Sequence, residues 1–258
     1  MAQGHADNAE VAADIQIEVV ESEEDIAGAF DVSCKAFGQQ IRDGIWIPMN
    51  PGWDTPEGRS QGAARMIGRW NATTRDHLAR PNAIFVKATA PHDVRSNENQ
   101  PSRKIVGIAI WLQASVVSGH GDPPTEDWSK ALNMEKLHPG NKPEQQYLCD
   151  VMSSLSRQRI ELVKKKAHVE PPSVMILDLC AVDPAYQGKG IGKQLAQWGI
   201  DEAKRRGGLE CITEASVMGR RVYEKLGFRQ EGPEIEYLVD KQWADRVRPS
   251  NIFMRTGA

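Results

Sequence analysis

The first predicted element is a strand in which apolar and polar residues alternate. Residues 15–21 show this period of two, and Ser22 with Asp25 three residues later predicts that a helix starts there. An apolar stripe with a 3.6-residue period follows, made up of Ile26, Phe30, Ser33 and Phe37. The pattern therefore predicts a strand that leads into an amphipathic helix.

Residues 41–58 break this pattern. The segment holds three prolines and two tryptophans, Trp46 and Trp53, and no regular period fits it, so it is predicted to be a long loop. A second helix is predicted to follow and to end before Pro81. The apolar side of this second helix comprises Ala63, Met66, Ile67, Trp70 and Leu78.

Two β-rich runs, at residues 83–89 and 104–113, predict a hairpin. From about residue 115 to residue 170 the composition is polar, helix-forming and interrupted by prolines, which predicts a helical insertion of two helices. The basic residues in this insertion, Arg157, Arg159 and the lysines at 164–166, are predicted to form a solvated helix face.

The apolar run at residues 174–182 predicts a strand that is buried on both faces. It passes through a glycine-rich turn into a helix with Ile191, Leu195 and Trp198 on one side, and a strand at 209–214 follows. Such a strand–helix–strand unit is parallel and right-handed. The remaining predicted elements are a helix at 218–226, a strand at 234–239, a helical segment at 241–247 and a strand at 252–255. The fold class is mixed α/β.

Composition limits the class of protein. The chain has 258 residues, of which 40% are hydrophobic and 26% charged, so it is predicted to form a single globular domain over residues 14–258 after a polar, disordered tail at residues 1–13. The tail has no apolar core, which argues against a signal peptide or membrane anchor. A net charge of −3 argues against non-specific binding to nucleic acid.

Cysteines and histidines carry little information on chemistry. The four cysteines are far apart in sequence, which predicts free thiols in a reducing compartment and so a cytoplasmic or nuclear protein. The six histidines show no metal-ligand spacing, so no metal site is expected. The chain is expected to be a monomer or a homodimer.

The turn at residues 187–193 has the composition of an anion site. Glycines between a buried strand and a helix leave backbone N–H groups unpaired at the positive end of the helix dipole, where a phosphate can approach closely. A Walker A loop would need a glycine at Gln187 and Ser or Thr at Gln194, and a dinucleotide-binding fingerprint would need glycine at Lys193. Neither common nucleotide motif fits.

The pattern that does fit is Gln/Arg-x-x-Gly-x-Gly/Ala, met by Gln187, Gly190 and Gly192. A second motif lies downstream and comprises Ser216, Gly219, Tyr223, Gly227 and Phe228. Together they resemble the GCN5-related N-acetyltransferase (GNAT) superfamily, although its second motif has Asn and Ala where this chain has Ser216 and Gly219. The resemblance covers about residues 174–230, and the longer string around it is similar to a fungal branch whose members mostly have no assigned substrate.

The resemblance implies a fold and a cofactor. The fold would be a twisted, mostly antiparallel sheet of about seven strands flanked by helices and splayed between strands 4 and 5. The cofactor would be acetyl-CoA. Its pyrophosphate would bind Gln187, Gly188, Lys189, Gly190, Ile191, Gly192 and Lys193, and its pantetheine arm would bind Cys180, Ala181 and Val182. Ser216 and Gly219 would also contact the cofactor, whereas Lys189 and Lys193 could equally be solvated.

The resemblance makes Tyr223 the proton donor to the leaving thiolate, and the alternative is a tyrosine that only packs on the sheet. Asp178 interrupts an apolar strand, on the same side as Ile176 and Cys180 by alternation. Many relatives carry a catalytic glutamate at the position of Ile176, so Asp178 is a candidate base or amine counter-ion; the alternative is a structural ion pair, with water taking the proton. Cys180 as a nucleophile is a weaker alternative, because no histidine lies near it in sequence.

The resulting hypothesis is direct acetyl transfer to an amine, with a small-molecule acceptor favoured because the insertion and the aromatic loop would cover a groove. Trp46 and Trp53 are candidates to line the acceptor site or to anchor the loop. Two alternatives remain: an acetyltransferase for protein lysines or N-termini, and a non-catalytic protein that binds acyl-CoA.

Overall fold

The computed structural model describes residues 14–91 and 103–257, so the tail predicted at residues 1–13 lies outside the described residues. The strands form one sheet in the order β1-β2-β3-β4-β5-β7-β6. Neighbours pair antiparallel except β4 and β5, which are parallel. The strands are β1 Gln16–Val19, β2 Ala83–Pro91, β3 Arg103–Ala114, β4 Val174–Val182, β5 Glu210–Ser216, β6 Arg229–Glu234 and β7 Asn251–Arg255.

Helices cover both faces of the sheet. The α-helices are α1 Glu23–Ser33, α2 Trp46–Met49, α3 Pro56–Asn71, α4 Trp128–Ala131, α5 Met134–Leu137, α6 Lys142–Lys166, α7 Ile191–Arg205 and α8 Val217–Glu224. A π-helix, Cys34–Ile41, continues α1, and two 3₁₀ turns lie at Pro184–Tyr186 and Lys241–Trp243. None of the helices within the described residues is long and apolar enough to cross a membrane.

Helix α7 covers one face of the sheet. Its apolar stripe, which includes Ile191 and Leu195, packs on Val106, Trp111 and Leu177. A Cβ at Gly199 would lie 1.9 Å from the Trp111 ring, so only glycine lets α7 approach this indole so closely. This contact sets how closely the middle of α7 packs on β3.

The opposite face carries α1, α3 and α6. Helices α1 and α3 pack on β2 and β3 in one apolar cluster, and α6 packs through Leu162 and Val163 on β4, β5 and β7 in another. Both faces of β4 are therefore buried, as its apolar sequence, broken only by Asp178, predicts. The predicted hairpin is also confirmed, because β2 and β3 pair antiparallel.

The prediction that residues 41–58 form a loop was wrong in part. Helix α2 forms within it because the carboxylate of Asp43 accepts the N–H groups of Ile45 and Trp46 at 2.9 and 2.8 Å. Helix α3 starts at Pro56, and the hydroxyl of Thr55 caps it by accepting the N–H of Gly58 at 3.1 Å. These side chains accept backbone N–H groups at the start of both helices, so each helix forms despite the prolines around it.

The second predicted helix was too long. It ends at Asn71, and Leu78 is exposed rather than part of an apolar stripe. Leu78 instead lies in a tight turn, which the carboxylate of Asp76 holds by accepting the N–H groups of Leu78 and Arg80, both at 2.9 Å.

Other boundaries also shift. The span predicted to hold two helices contains three, α4 to α6. The sixth strand lies at Arg229–Glu234 rather than at 234–239, and the helical segment predicted at 241–247 is a single 3₁₀ turn.

Candidate active site

Strands β4 and β5 separate soon after they begin. They pair only at Val174–Glu210, Met175–Cys211 and Ile176–Ile212. The hydroxyl of Thr213 donates to the carbonyl of Leu177 at 2.9 Å, which closes the apex of the gap. Beyond it, the edge of β4 that faces β5 is open up to Val182, as predicted for strands 4 and 5.

The glycine-rich turn follows directly from this open edge. Gly188 and Gly190 both have φ of +78°, in the left-handed region that favours glycine. Gly190 is the N-cap residue of α7 and provides no side chain, and within the described structure the N–H groups of residues 188–193 have no acceptor. The turn therefore presents a row of free donors at a helix N-terminus, which suits an anion such as a pyrophosphate.

The space in front of the turn is open. A Cβ placed at Gly188 or Gly190 would find no atom within 4 Å. The Gln187 side chain fixes the turn to β4 by donating to the carbonyl of Val182 at 3.1 Å. The ammonium of Lys189 lies 5.1 Å from the ring centroid of Tyr186, which immediately precedes the turn.

Tyr223 lies on α8 and is buried against the side chain of Cys180 on β4. Burial raises the pKa of the Cys180 thiol to about 12 and raises the pKa of the Tyr223 phenol well above its ordinary value. Both groups hold their protons at neutral pH. A thiol of this kind is not a ready nucleophile, which argues against a covalent mechanism through Cys180.

Gly219 lies beneath Tyr223. A Cβ at this position would be 2.5 Å from the Tyr223 ring and 3.2 Å from its hydroxyl. The absence of a side chain at Gly219 therefore sets where the ring lies. Ser216, one turn earlier, ends β5 and pairs with Asn251.

Asp178 occupies a β-bulge in β4. Ile110 pairs with Leu179 and Trp111 with Leu177, so Asp178 is the extra residue. Because of this extra residue, Leu177 and Cys180 both pack in the core under α7. The expectation that Asp178 and Cys180 share a side was wrong.

The carboxylate of Asp178 is bound on both oxygens. Its Oδ2 lies 2.7 Å from Nη2 of Arg69, and its Oδ1 lies 2.6 Å from Nη1 of Arg159. Burial alone would raise the pKa of Asp178, but the charges of Arg69 and Arg159 outweigh it and hold the pKa far below its ordinary value. Arg159 also binds Glu214 on β5, with Nε 3.0 Å from Oε1. Arg159 thus bridges β4 and β5 where they separate.

A protein-family model and several solved structures are similar to this chain. The model of the Acetyltransferase (GNAT) family matches residues 160–228, which include the open edge of β4, the turn and α8. A comparison with curated proteins gave no match. The structure of arylalkylamine N-acetyltransferase 2 from Aedes aegypti is 18% identical, with a TM-score of 0.56 over 93% of this chain and 97% of that chain. The fold is that of the GNAT superfamily.

Two further structures share the GNAT fold. Mosquito arylalkylamine N-acetyltransferase like 5b is 17% identical, with a TM-score of 0.55 over 93% of this chain and 98% of that chain. The polyamine N-acetyltransferase of Drosophila melanogaster, described as forming N-acetylagmatine, is 13% identical, with a TM-score of 0.53 over 94% and 98%.

Within this GNAT fold, the tryptophans of the 41–58 segment contact the first helix. The Trp46 ring lies 5.9 Å from Phe30, 6.0 Å from Phe37 and 6.0 Å from Trp53, and Trp53 packs against Gly38 of the π-helix. Both side chains therefore anchor the segment to α1 and the π-helix, and a role in lining an acceptor site stays a prediction.

Sequence reasoning missed the contacts between the π-helix and the turn. The side-chain amides of Gln40 and Gln187 donate to each other, both at 2.9 Å, and Lys35 binds Asp183 at 3.1 Å. Nothing in the local pattern signals these pairs, because their members are about 150 residues apart.

Sequence reasoning also missed Arg159, which was assigned to a solvated face. Its side chain is only 11% exposed, because α6 lies directly over the gap between β4 and β5. The available signal was Asp178 itself: a carboxylate within a buried strand requires a cation, and an arginine on a neighbouring helix supplies it.

Proposed function

We propose that the protein is an N-acetyltransferase that uses acetyl-CoA and transfers the acetyl group directly to the amine of a small molecule. The observation that carries the proposal is the row of free N–H groups at residues 188–193, next to an open strand edge that ends at a buried tyrosine. An anion cradle, an extended slot and a proton donor are the parts that thioester aminolysis requires.

When bound, acetyl-CoA would supply an activated acetyl thioester. The N–H groups of residues 188–193 would hold its pyrophosphate, whereas the N–H of Gln187, also predicted to do so, donates to the carbonyl of Pro184 at 3.4 Å. The backbone of Cys180, Ala181 and Val182 would pair with its pantetheine arm as an added strand does. We retain Ser216 and Gly219 as further contacts. Lys189 and Lys193 would add positive charge beside the phosphates.

Tyr223 would give its proton to the departing thiolate. Its raised pKa keeps the phenol protonated at neutral pH, and α8 holds it at the end of the open edge. Asp178 is a poor proton acceptor, because two arginines stabilise its ionised form. We therefore assign Asp178 a structural role and leave the amine's proton to water.

A small amine is favoured over a protein lysine because α2, α5 and α6 pack together beside the gap. Ile45 and Met134 belong to one apolar cluster with Tyr147 and Leu148, and Nε2 of His138 lies 2.7 Å from the carbonyl oxygen of Pro48. Three structures with this fold are also described as acting on, or named for, small amines.

A non-catalytic acyl-CoA-binding protein is the second candidate. Ile176 stands where many relatives carry glutamate, and Asp178 is held by its two arginines. Both candidates predict that the protein binds acetyl-CoA, but only the first predicts that it acetylates an amine.

The test has two steps. Acetyl-CoA should raise the melting temperature, because a ligand that binds only the native state stabilises it by mass action. A panel of amines with acetyl-CoA should then release free thiol, measured as coenzyme A. An unchanged melting temperature at saturating cofactor would reject both candidates, and a shift without turnover of any amine would leave only the binding protein.

A further inference from the structure

Helix α3 carries two arginines on the side from which Arg69 reaches β4. Arg65 and Arg69 are four residues apart, so they lie on the same side of the helix. Arg69 reaches Asp178 in the bulge of β4. Arg65 lies one turn earlier and contacts Oδ1 of Asn50, at the end of α2, at 3.5 Å.

The charges around the bulge are balanced without Arg65. Arg69 and Arg159 are matched by Asp178 and Glu214 in one connected group, so two cations meet two carboxylates. Neither carboxylate is spare to bind the ammonium of a polycationic acceptor. This argues against recognition of a second positive charge here.

Arg65 is a cation without an acidic partner. Across residues 14–91 and 103–257, no carboxylate lies within 4.0 Å of its guanidinium. Its side chain is only partly exposed, and burial lowers its pKa, although a guanidinium stays charged at neutral pH. A partly desolvated charge with no partner is costly, and an anion from outside the chain would offset this cost.

We propose that the acceptor carries a carboxylate, as an amino acid does, and that Arg65 binds it. The inference rests on the proposed acetyltransferase function. A guanidinium presents a planar pair of N–H donors that matches the two oxygens of a carboxylate. Asn50 contacts Arg65 and in turn donates to the carbonyl of Trp46 at 2.9 Å, which orients Arg65 from the α2 segment.

The test uses two pairs of acceptors that differ only by a carboxylate: phenylalanine with phenethylamine, and arginine with agmatine. The carboxylated member of each pair should have the higher kcat/KM by about 10- to 100-fold, the range for one charge-assisted hydrogen-bonded contact. Arg65→Gln should remove this preference by lowering kcat/KM for the carboxylated member alone. Arg65→Lys should restore part of it.

Two controls separate binding from folding. Arg157→Gln, a change at an exposed arginine on α6, should leave the preference intact. Arg65→Gln should change the melting temperature without ligand only slightly, because it loses the 3.5 Å contact with Asn50 but no ion pair; a clear drop would mean a structural role and would overturn the proposal.

Equal turnover within each pair, a preference for agmatine or phenethylamine, or no turnover of any of the four would also overturn it. In each of these cases a melting shift with acetyl-CoA would still support the cofactor site. If acetyl-CoA gave no shift, the proposed function itself would fail, and the assignment of Arg65 with it.

Discussion

Two single residues shape the candidate site by lacking a side chain. Gly190 leaves the space in front of the turn open, and Gly219 leaves room for the ring of Tyr223. In the first case the room is for a ligand, and in the second it is for a neighbouring side chain. The two glycines therefore call for different experiments.

Gly190→Val should abolish the melting shift produced by acetyl-CoA. A β-branched side chain would occupy the approach to the N–H groups and would also strain a residue with φ of +78°. Gly140→Val is the matched control, because Gly140 has φ of +67°, also faces open space and lies outside the turn. Both variants should be less stable than wild type, but only the first should lose the shift. An equal shift in both would reject the cradle.

Tyr223→Phe should lower kcat by about 10²- to 10⁴-fold, the usual contribution of a positioned general acid, while cofactor affinity stays nearly constant. Phe keeps the ring that packs over Gly219, so the melting temperature should change little. The loss should shrink with an acyl donor whose leaving thiol is more acidic, because that thiolate needs less help.

A kcat within about twofold of wild type would make Tyr223 a packing residue, with water as the proton donor. Steady-state rates with an acceptor found in the amine panel decide between these outcomes.

At the scale of elements, much of the central unit could be predicted from sequence. The buried run of β4, the glycines of the turn and the stripe of α7 are all local signals, and the structure has the strand and helix where they point. The turn's free N–H groups follow from the same local information, because a helix without a side-chain cap must leave them unpaired.

The bulge at Asp178 could not be predicted in this way. It depends on the register between β3 and β4, whose partners Trp111 and Leu177 are far apart in sequence. One extra residue reverses the alternation, so an inference that steps by two along β4 puts Asp178 and Cys180 on the same side. The actual partner of Asp178, Arg159, was unpredictable for the same reason.

The 41–58 segment shows a different limit. Its prolines argue against regular structure, but Asp43 and Thr55 are good capping residues and each starts a helix there. A pattern search that weighs prolines alone misses these caps. The π-helix likewise has no simple sequence signal, although it brings Gln40 to the turn.

At the scale of the whole molecule, buried ion pairs predict loss of stability in acid. Burial raises the pKa of Asp76, but hydrogen bonds from Arg80 and from backbone N–H groups outweigh it, so the net shift is downward. A carboxylate with a lowered folded-state pKa contributes stability above its unfolded pKa of about 4, and this is lost as the pH falls towards the folded value. The melting temperature should therefore drop below about pH 4.

The Asp76→Asn variant tests this predicted loss of stability in acid at a site remote from the glycine-rich turn. The variant should melt below wild type at pH 7, and the difference should shrink below about pH 4 as the wild-type carboxylate becomes neutral. Asp245→Asn, the same change at an exposed position, should follow wild type throughout. A constant difference between Asp76→Asn and wild type across the pH range would contradict the assignment.

The order of the strands also bears on how the chain is made. The strand Asn251–Arg255 comes last in sequence, yet it lies between β5 and β6 and pairs with both. During translation, β5, α8 and β6 are complete before their shared partner has been synthesised. Until Arg255 has been synthesised, the edges of β5 and β6 lack the hydrogen bonds that β7 provides, and a nascent chain that stalls in this interval presents both edges to other chains.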